Sequence, residues 1–323
     1  MFRTLSLLLM ILWSSLVSAQ NITNPVWPRN WPDPTIWLGE DGRYHCLATN
    51  PTRSIVSDDL FHWEMSNVAP IDIESWGKMQ ALAQRFWAPD VTTVKGRRNL
   101  YLTLYNSAED SSIGVFQEYA PCQFQFVRVL TDSKVTGIYD TIDPEVVTDS
   151  KTGKVWLFFG SVGGIHRIEL ADDGLSLKEG ATYEHVAGLK IEENPSRSKV
   201  FEGSYLHQHG KYWYLFVSSG NFGDHTYQLK VGRAKRLTDD FLDREGNPMK
   251  EGFATTVLHS DEGDRFYGPG HCGEIFKAKD GGEYIFYHCH VAESRRQGSR
   301  SLFISPIKWD DEGWPYIEGG KPQ

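Results

Sequence analysis

Acidic residues recur in this chain at the heads of strand-like runs. Asp33 stands between two prolines in "NWPDPTIWL", Asp90 closes "FWAPD", Asp143 precedes a proline in "TIDPEV", and Glu202 opens "FEGSYL". His271 holds the corresponding place in "GPGHCGEIF". A residue before proline is steered out of the α region toward extended backbone, and proline has a locked φ and no N–H for a ladder. Asp33 is therefore expected on stiff, extended backbone. Each of these residues alone reads as a turn residue or a hydrogen-bonded structural histidine. Four carboxylates and an imidazole at equivalent repeat positions read differently, because gathering like charges costs stability and calls for a functional reason. Separated carboxylates in a cleft with aromatic walls suit hydrolysis of a glycosidic bond. One must be protonated to assist the leaving oxygen, one ionised to activate water, and a third can raise the acid's pKa by repulsion. The sequence contains no Gly-Lys-Ser/Thr phosphate loop, His-Glu-x-x-His helix or Gly-x-Ser-x-Gly elbow.

The elements that must carry these residues repeat as well. Strand-type residues flank a glycine turn in "PTIWLGEDGRYHCLAT", "DVTTVKGRRNLYLTLYNS", "EVVTDSKTGKVWLFFGS", "SYLHQHGKYWYLFVSS" and "EIFKAKDGGEYIFYHCH". The turns fall at Asp41-Gly42, Lys95-Gly96, Thr152-Gly153, His209-Gly210 and Asp280-Gly281, a strong hairpin signal. Another short β-prone run follows each, and long amphipathic helices are absent from the pattern. Five sheet units about 58 residues apart predict an all-β, five-bladed β-propeller. A two-sheet sandwich of this length would rarely repeat one hairpin so regularly. In a propeller the first strand of each blade lines the central channel, so the five ionisable residues would meet at its mouth.

Residues 1–19 read as a secretory signal peptide, with a basic start, an apolar core and small residues before Gln20. Residues 20–323 then form a single domain, secreted or periplasmic, and no later run is long and apolar enough for a membrane span. With 33 basic and 42 acidic residues the net charge is −9, which argues against nucleic acid as a partner. Four cysteines occur, at positions 46, 122, 272 and 289, without a zinc-like spacing. A two-residue Asp280-Gly281 loop would set Cys272 opposite Cys289, within disulfide reach. A three-residue loop would shift the register by one and place them on opposite faces.

The ordered motifs "DP", "FWAPD", "IDPEV" and "FEGSYL" resemble glycoside hydrolase family 43, five-bladed propeller enzymes acting on arabinan and xylan. The likeness covers nearly the whole chain after the leader. "GPGH" and the closing "WDDEGWP" resemble the endo-1,5-α-L-arabinanases within it. The resemblance implies an inverting mechanism, with Asp33 as general base, Glu202 as general acid and Asp143 raising the pKa of Glu202. It places Trp87, Gly114 and Ser161 near the sugar, together with Asp33. It puts His271 deep in the channel, beside a calcium or other cation held largely through water. It implies a monomer acting on plant cell-wall polysaccharide, arabinan above all. Exo-acting α-L-arabinofuranosidases and β-xylosidases share the scaffold, and a non-catalytic sugar-binding propeller would keep the aromatics without needing all three carboxyls. The chain departs from the arabinanase pattern at "GNFGDHTYQL", at Cys272 and at Pro32.

Overall fold

Glycine turns fold the chain into five antiparallel meanders. Gly42, Gly96, Gly153, Gly210 and Gly281 all have φ between 58° and 85°, where a side chain would be strained. The computed structural model describes residues 22–323 except 195, 197–199, 295 and 297; the leader at 1–19 lies outside the described residues. Blade 1 is Thr35–Leu38, Tyr44–Leu47, Ile55–Ser57 and Trp63–Met65 (β1–β4). Blade 2 is Arg85–Val94, Arg97–Ser107, Asp110–Ala120 and Gln123–Asp132 (β5–β8). Blade 3 is Glu145–Thr148, Val155–Phe159, Ile165–Leu170 and Glu184–Ala187 (β9–β12). Blade 4 is Glu202–His209, Tyr212–Ser219, Gln228–Ala234 and Thr255–Leu258 (β13–β16). In blade 5 the inner strand is broken into Phe266–Gly270 (β17) and Ile275–Lys277 (β18). Both pair with one edge of Glu283–Val291 (β19), and Arg300–Pro306 (β20) pairs with the other. The result is a five-bladed β-propeller.

The outer edge of blade 5 is met by a segment from the other end of the chain, through an isolated bridge. Trp27 and Leu302 exchange backbone hydrogen bonds, and Trp31 N–H donates to the Arg300 carbonyl at 2.7 Å. The apolar core is divided among the five blade interfaces rather than concentrated in one centre. Trp37 and Leu47 of blade 1 pack on Leu100 and Phe116 of blade 2, for example, and Phe216 and Val231 of blade 4 on Tyr287 and Phe303 of blade 5.

A ten-residue helix, Ile73–Leu82 (α1), interrupts the all-β pattern between blades 1 and 2. Asp72 caps it by accepting from Ser75 N–H, and Met79 enters the core between those blades. No helix among the described residues is long and apolar enough to cross a membrane.

Cys272 and Cys289 are both free and buried, so the unbridged one of the two alternatives holds. Lys279-Asp280-Gly281 forms a three-residue loop closed by Ala278 N–H on the Gly282 carbonyl, so Ile275 faces Ile285 and Lys277 faces Glu283. That register is one residue away from the one that opposes the cysteines.

Around the axis a circle of five hydrogen bonds stitches the inner strands, one at each interface running from a backbone N–H to a side chain of the preceding blade. Val91 N–H donates to Thr35 Oγ1 (3.1 Å), Val146 N–H to Asp90 Oδ2 (2.8 Å) and Leu206 N–H to Glu145 Oε1 (3.0 Å). Ile275 N–H donates to Tyr205 Oη (2.9 Å), and Ile36 N–H to Glu274 Oε2 closes the circle. In every blade the donor directly follows the acceptor residue. Burial pushes all three carboxyls of this ring up, Glu274 to about 7 from its ordinary 4.5, with Asp90 and Glu145 raised further by their acidic neighbours.

The fold therefore favours the neutral acid at Glu274. That contribution is complete below pH 4.5 and is lost as pH rises through about 7. Glu274→Gln keeps an acceptor for Ile36 N–H without a titrating proton. Its melting temperature should gain on that of the wild type as pH rises across this window, as followed by scanning calorimetry. Parallel pH curves would refute the assignment.

Candidate active site

Directly above the ring, each inner strand passes through one residue of positive φ. These are Asp33 (57°), Ala88 (38°), Asp143 (55°), Gly203 (60°) and His271 (44°). They precede the ring residues Thr35, Asp90, Glu145 and Tyr205 by two positions and Glu274 by three. Asp33, Ala88 and Asp143 each precede a proline. The extended backbone expected for Asp33 is thus replaced by a left-handed one, a strain of roughly 1–3 kcal/mol per residue that persists only where the surroundings enforce it.

A second set of hydrogen bonds does the enforcing, because every left-handed N–H is held by a side chain. Asp33 N–H donates to His288 Nδ1 (3.1 Å), Ala88 N–H to Thr49 Oγ1 (3.0 Å) and Asp143 N–H to Thr103 Oγ1 (3.0 Å). His271 N–H donates to Ser218 Oγ (2.6 Å) and Gly203 N–H to Asp143 Oδ2 (3.2 Å). Gly203 has no room for a side chain: a Cβ there would come within 3.0 Å of the His271 ring. Glu202, one residue earlier, swings its carboxyl into the same space.

The structure brings Asp33, Asp143, Glu202 and His271 together at the axis but not Asp90. Ala88 occupies the corresponding place in blade 2, and Asp90 belongs to the structural ring beneath. Asp33 is 7% exposed. Its Oδ1 accepts from Arg300 Nη1 at 3.0 Å and lies 3.3 Å from His271 Nδ1 and 3.2 Å from His288 Nδ1, while Oδ2 accepts from Thr49 Oγ1. Burial alone would raise the Asp33 pKa, but Arg300, His271 and His288 together hold it well below the usual carboxylate range. Asp143 has the opposite fate: burial and the charges of Glu202 and Asp33 push it well above that range. Burial keeps His288 neutral, its pKa lowered to about 3.

Both oxygens of Glu202 are held by hydroxyls, Oε2 by Ser161 Oγ (2.7 Å) and Oε1 by Tyr227 Oη (2.8 Å). Tyr227 is buried and lies parallel to His288, 5.7 Å between ring centres, so the partners of the two carboxylates are in contact. Ser161 was named in the sequence; Arg300, His288, Tyr227, Thr49, Thr103 and Ser218 were not, since Thr103, Ser218, His288 and Arg300 come from strands behind the inner ones and Thr49 and Tyr227 from the connections beside such strands. Trp87, half-buried next to Ala88, stacks on Tyr105 at 4.1 Å. Gly114 stands apart: it lies in β7, where a Cβ would press on Leu104, Phe116 and Phe126, a packing position inside blade 2.

His271 does not sit in a ligand cage. Its Nδ1 faces Asp33 and, at 3.9 Å, Asp143 Oδ2, and among the described residues no three His, Cys, Asp or Glu side chains are grouped to hold a metal ion. The residues present do not fit an ion ligated directly by side chains.

The Cellvibrio japonicus extracellular exo-alpha-(1->5)-L-arabinofuranosidase is 28% identical over 298 residues, covering 86% of this chain and 84% of that protein. The Bacillus subtilis extracellular endo-alpha-(1->5)-L-arabinanase 1 is 27% identical over 296 residues, with 88% and 86% covered. The solved Cellvibrio cellulosa alpha-L-arabinanase complexed with arabinohexaose superposes with a TM-score of 0.76 at 26% identity, covering 89% of this chain and 95% of that one. The family model for glycosyl hydrolases family 43 matches residues 22–315, which spans all five blades and the four clustered residues, and the chain belongs to that family.

Proposed function

We propose that the protein is an inverting glycosidase that hydrolyses α-1,5-L-arabinofuranosidic bonds within arabinan. The observation that carries the reaction is the split between the two outer carboxyls: Asp33 is held ionised, above all by the Arg300 guanidinium, and Glu202 is held by two hydroxyls beside a buried, proton-retaining Asp143. The substrate rests on relatives named for α-1,5-linked arabinan, and the site of action outside the cell on their being named extracellular. The exo-acting name of the Cellvibrio relative favours a second reading, release of single arabinose units on the same scaffold.

The steps follow from the electrostatics. Asp33 stays charged across the working pH range, so it can take a proton from an attacking water and face the positive charge that develops at the sugar carbon. Its low basicity is the cost of that permanent charge. Burial and the charges of Glu202 and Asp33 favour a proton on Asp143, and in this reading Glu202 is the carboxyl that delivers a proton to the leaving oxygen. Ser161 and Tyr227 aim Glu202 without supplying charge. Because hydroxyls can rotate, they can serve both its protonated and its ionised forms.

Glu202→Gln and Asp33→Asn should each lower kcat by about 10²–10⁴-fold with the fold intact, measured on linear arabinan with circular dichroism as control. Proton NMR of the first product should show inverted anomeric configuration, and a retained product would contradict the mechanism. A ladder of oligosaccharides means internal cleavage, and arabinose alone means the exo reading.

Two further variants should move opposite limbs of the pH–rate profile. Arg300→Met removes a charge that lowers the Asp33 pKa, so the acidic limb should shift to higher pH. Asp143→Asn removes a carboxyl that repels the charge of Glu202, so the alkaline limb should shift to lower pH. Unmoved limbs would separate these residues from the base and acid.

The cation expected at His271 would have to be held mainly by water, through the ring nitrogen not facing Asp33, and no step above runs through it. Chelator treatment should then lower the melting temperature, and an unchanged transition removes the cation from the proposal.

A further inference from the structure

The segment in which this chain departs from the arabinanase pattern, "GNFGDHTYQL", forms the connection between β14 and β15 and reaches both reactive carboxyls. At its far end Tyr227 holds Glu202. At its tip the ring of Phe222 lies 5.2 Å from the guanidinium of Arg300, the group that donates to Asp33. The Phe222 ring nevertheless keeps 55% of its surface exposed, while Arg300 beneath it is largely covered.

The loop is built to hold that ring still. Asp224 accepts from Thr226 N–H (2.9 Å) and from Asn221 Nδ2 (2.9 Å), Gly223 N–H donates to Asn221 Oδ1 (3.0 Å), and Asn221 N–H donates to Thr226 Oγ1 (3.0 Å). It is also fastened to blade 5. His290 Nε2 meets the Phe222 carbonyl at 2.8 Å, with Tyr267 stacked on the His290 ring at 4.8 Å. Gly268 permits the close approach, since a Cβ there would run into the Asp224 carbonyl. Phe222 is thus an exposed aromatic side chain on an internally bonded loop, one residue removed from the proposed base.

We propose that Phe222 is a specificity-determining residue that stacks on a sugar ring of the polysaccharide adjoining the cleaved bond. This rests on the reading of the protein as a polysaccharide-cleaving glycosidase. The C–H face of a sugar is apolar and complements an aromatic face. With the loop already ordered, little conformational freedom is lost when it binds. A role confined to covering Arg300 would instead act through Asp33, on kcat and on the acidic limb of the pH profile.

Steady-state kinetics of Phe222→Ala and Phe222→Tyr on linear arabinan separate the two roles. The Ala variant should raise KM about tenfold with kcat within about twofold, and the Tyr variant should restore KM, since an aromatic face of similar area is worth on the order of one such factor. An unchanged KM overturns the proposal, as does a lower kcat with a shifted acidic limb at constant KM. Wild-type turnover is the control: wild-type protein inert on arabinan overturns the reaction and takes the stacking role with it. Active wild type with an unchanged KM in the variant overturns the stacking role alone.

Discussion

The closed circuit of hydrogen bonds from each inner strand to the side chain of the blade before it is the constraint on which the site depends. Thr35, Asp90, Glu145, Tyr205 and Glu274 differ in chemistry yet perform one task, fixing the height of the next strand along the axis. With that height fixed, the residue two or three positions earlier must turn inward, and it does so through a left-handed backbone. A single such bond contributes only about 1 kcal/mol, but each protects a buried N–H whose loss would cost about 1–3 kcal/mol. Five in a circle leave no strand free to relax alone.

Two acidic layers a few ångströms apart behave oppositely because their neighbours differ. In the ring, Asp90, Glu145 and Glu274 face one another and backbone N–H groups, so burial favours the neutral acids. Above them Asp33 is surrounded by an arginine and two imidazoles and stays ionised although it is buried. Desolvation alone cannot tell these carboxyls apart; the groups contributed by blade 5, Arg300 above all, do. Blade 5 supplies His271, His288 and Arg300, so one blade sets the charge state of a residue belonging to another.

Much of this was legible in the sequence. Hairpins with glycine turns gave the five blades, and all four clustered carboxyl and imidazole positions were among the five expected at the channel mouth, although the left-handed backbone at Asp33, Asp143 and His271 was not foreseen. Asp90 misled because "APD" looks like the other entries, although the proline there follows Ala88 and places the aspartate one layer down. Arg300 and His288 carried no signal, since their side chains reach the axis through tertiary packing of strands that read as ordinary core, and Tyr227 stood in a loop quoted only for its departure from the family pattern. The Cys272–Cys289 pairing stayed open on a single residue of loop length, which hairpin sequence alone does not fix. Helix α1 escaped notice for a related reason: one short amphipathic segment is a faint feature among twenty-two strands.

The bridge that closes the outer edge of blade 5 comes from the first residues of the described chain, and Trp27 cannot meet Leu302 until almost everything between them has been made. During synthesis the first four blades can form as successive local hairpins, whereas this last pairing is as non-local as the chain permits and must be slow. The ring bond from Ile36 to Glu274 belongs to the same late event, and Asp33 lies between Trp27 and Ile36. An unclosed intermediate would therefore hold most of its sheets yet lack the arginine and both imidazoles around Asp33. Catalytic competence then reports completion of the circle itself, and a protease or chaperone acting before that moment meets a nearly folded but chemically silent protein.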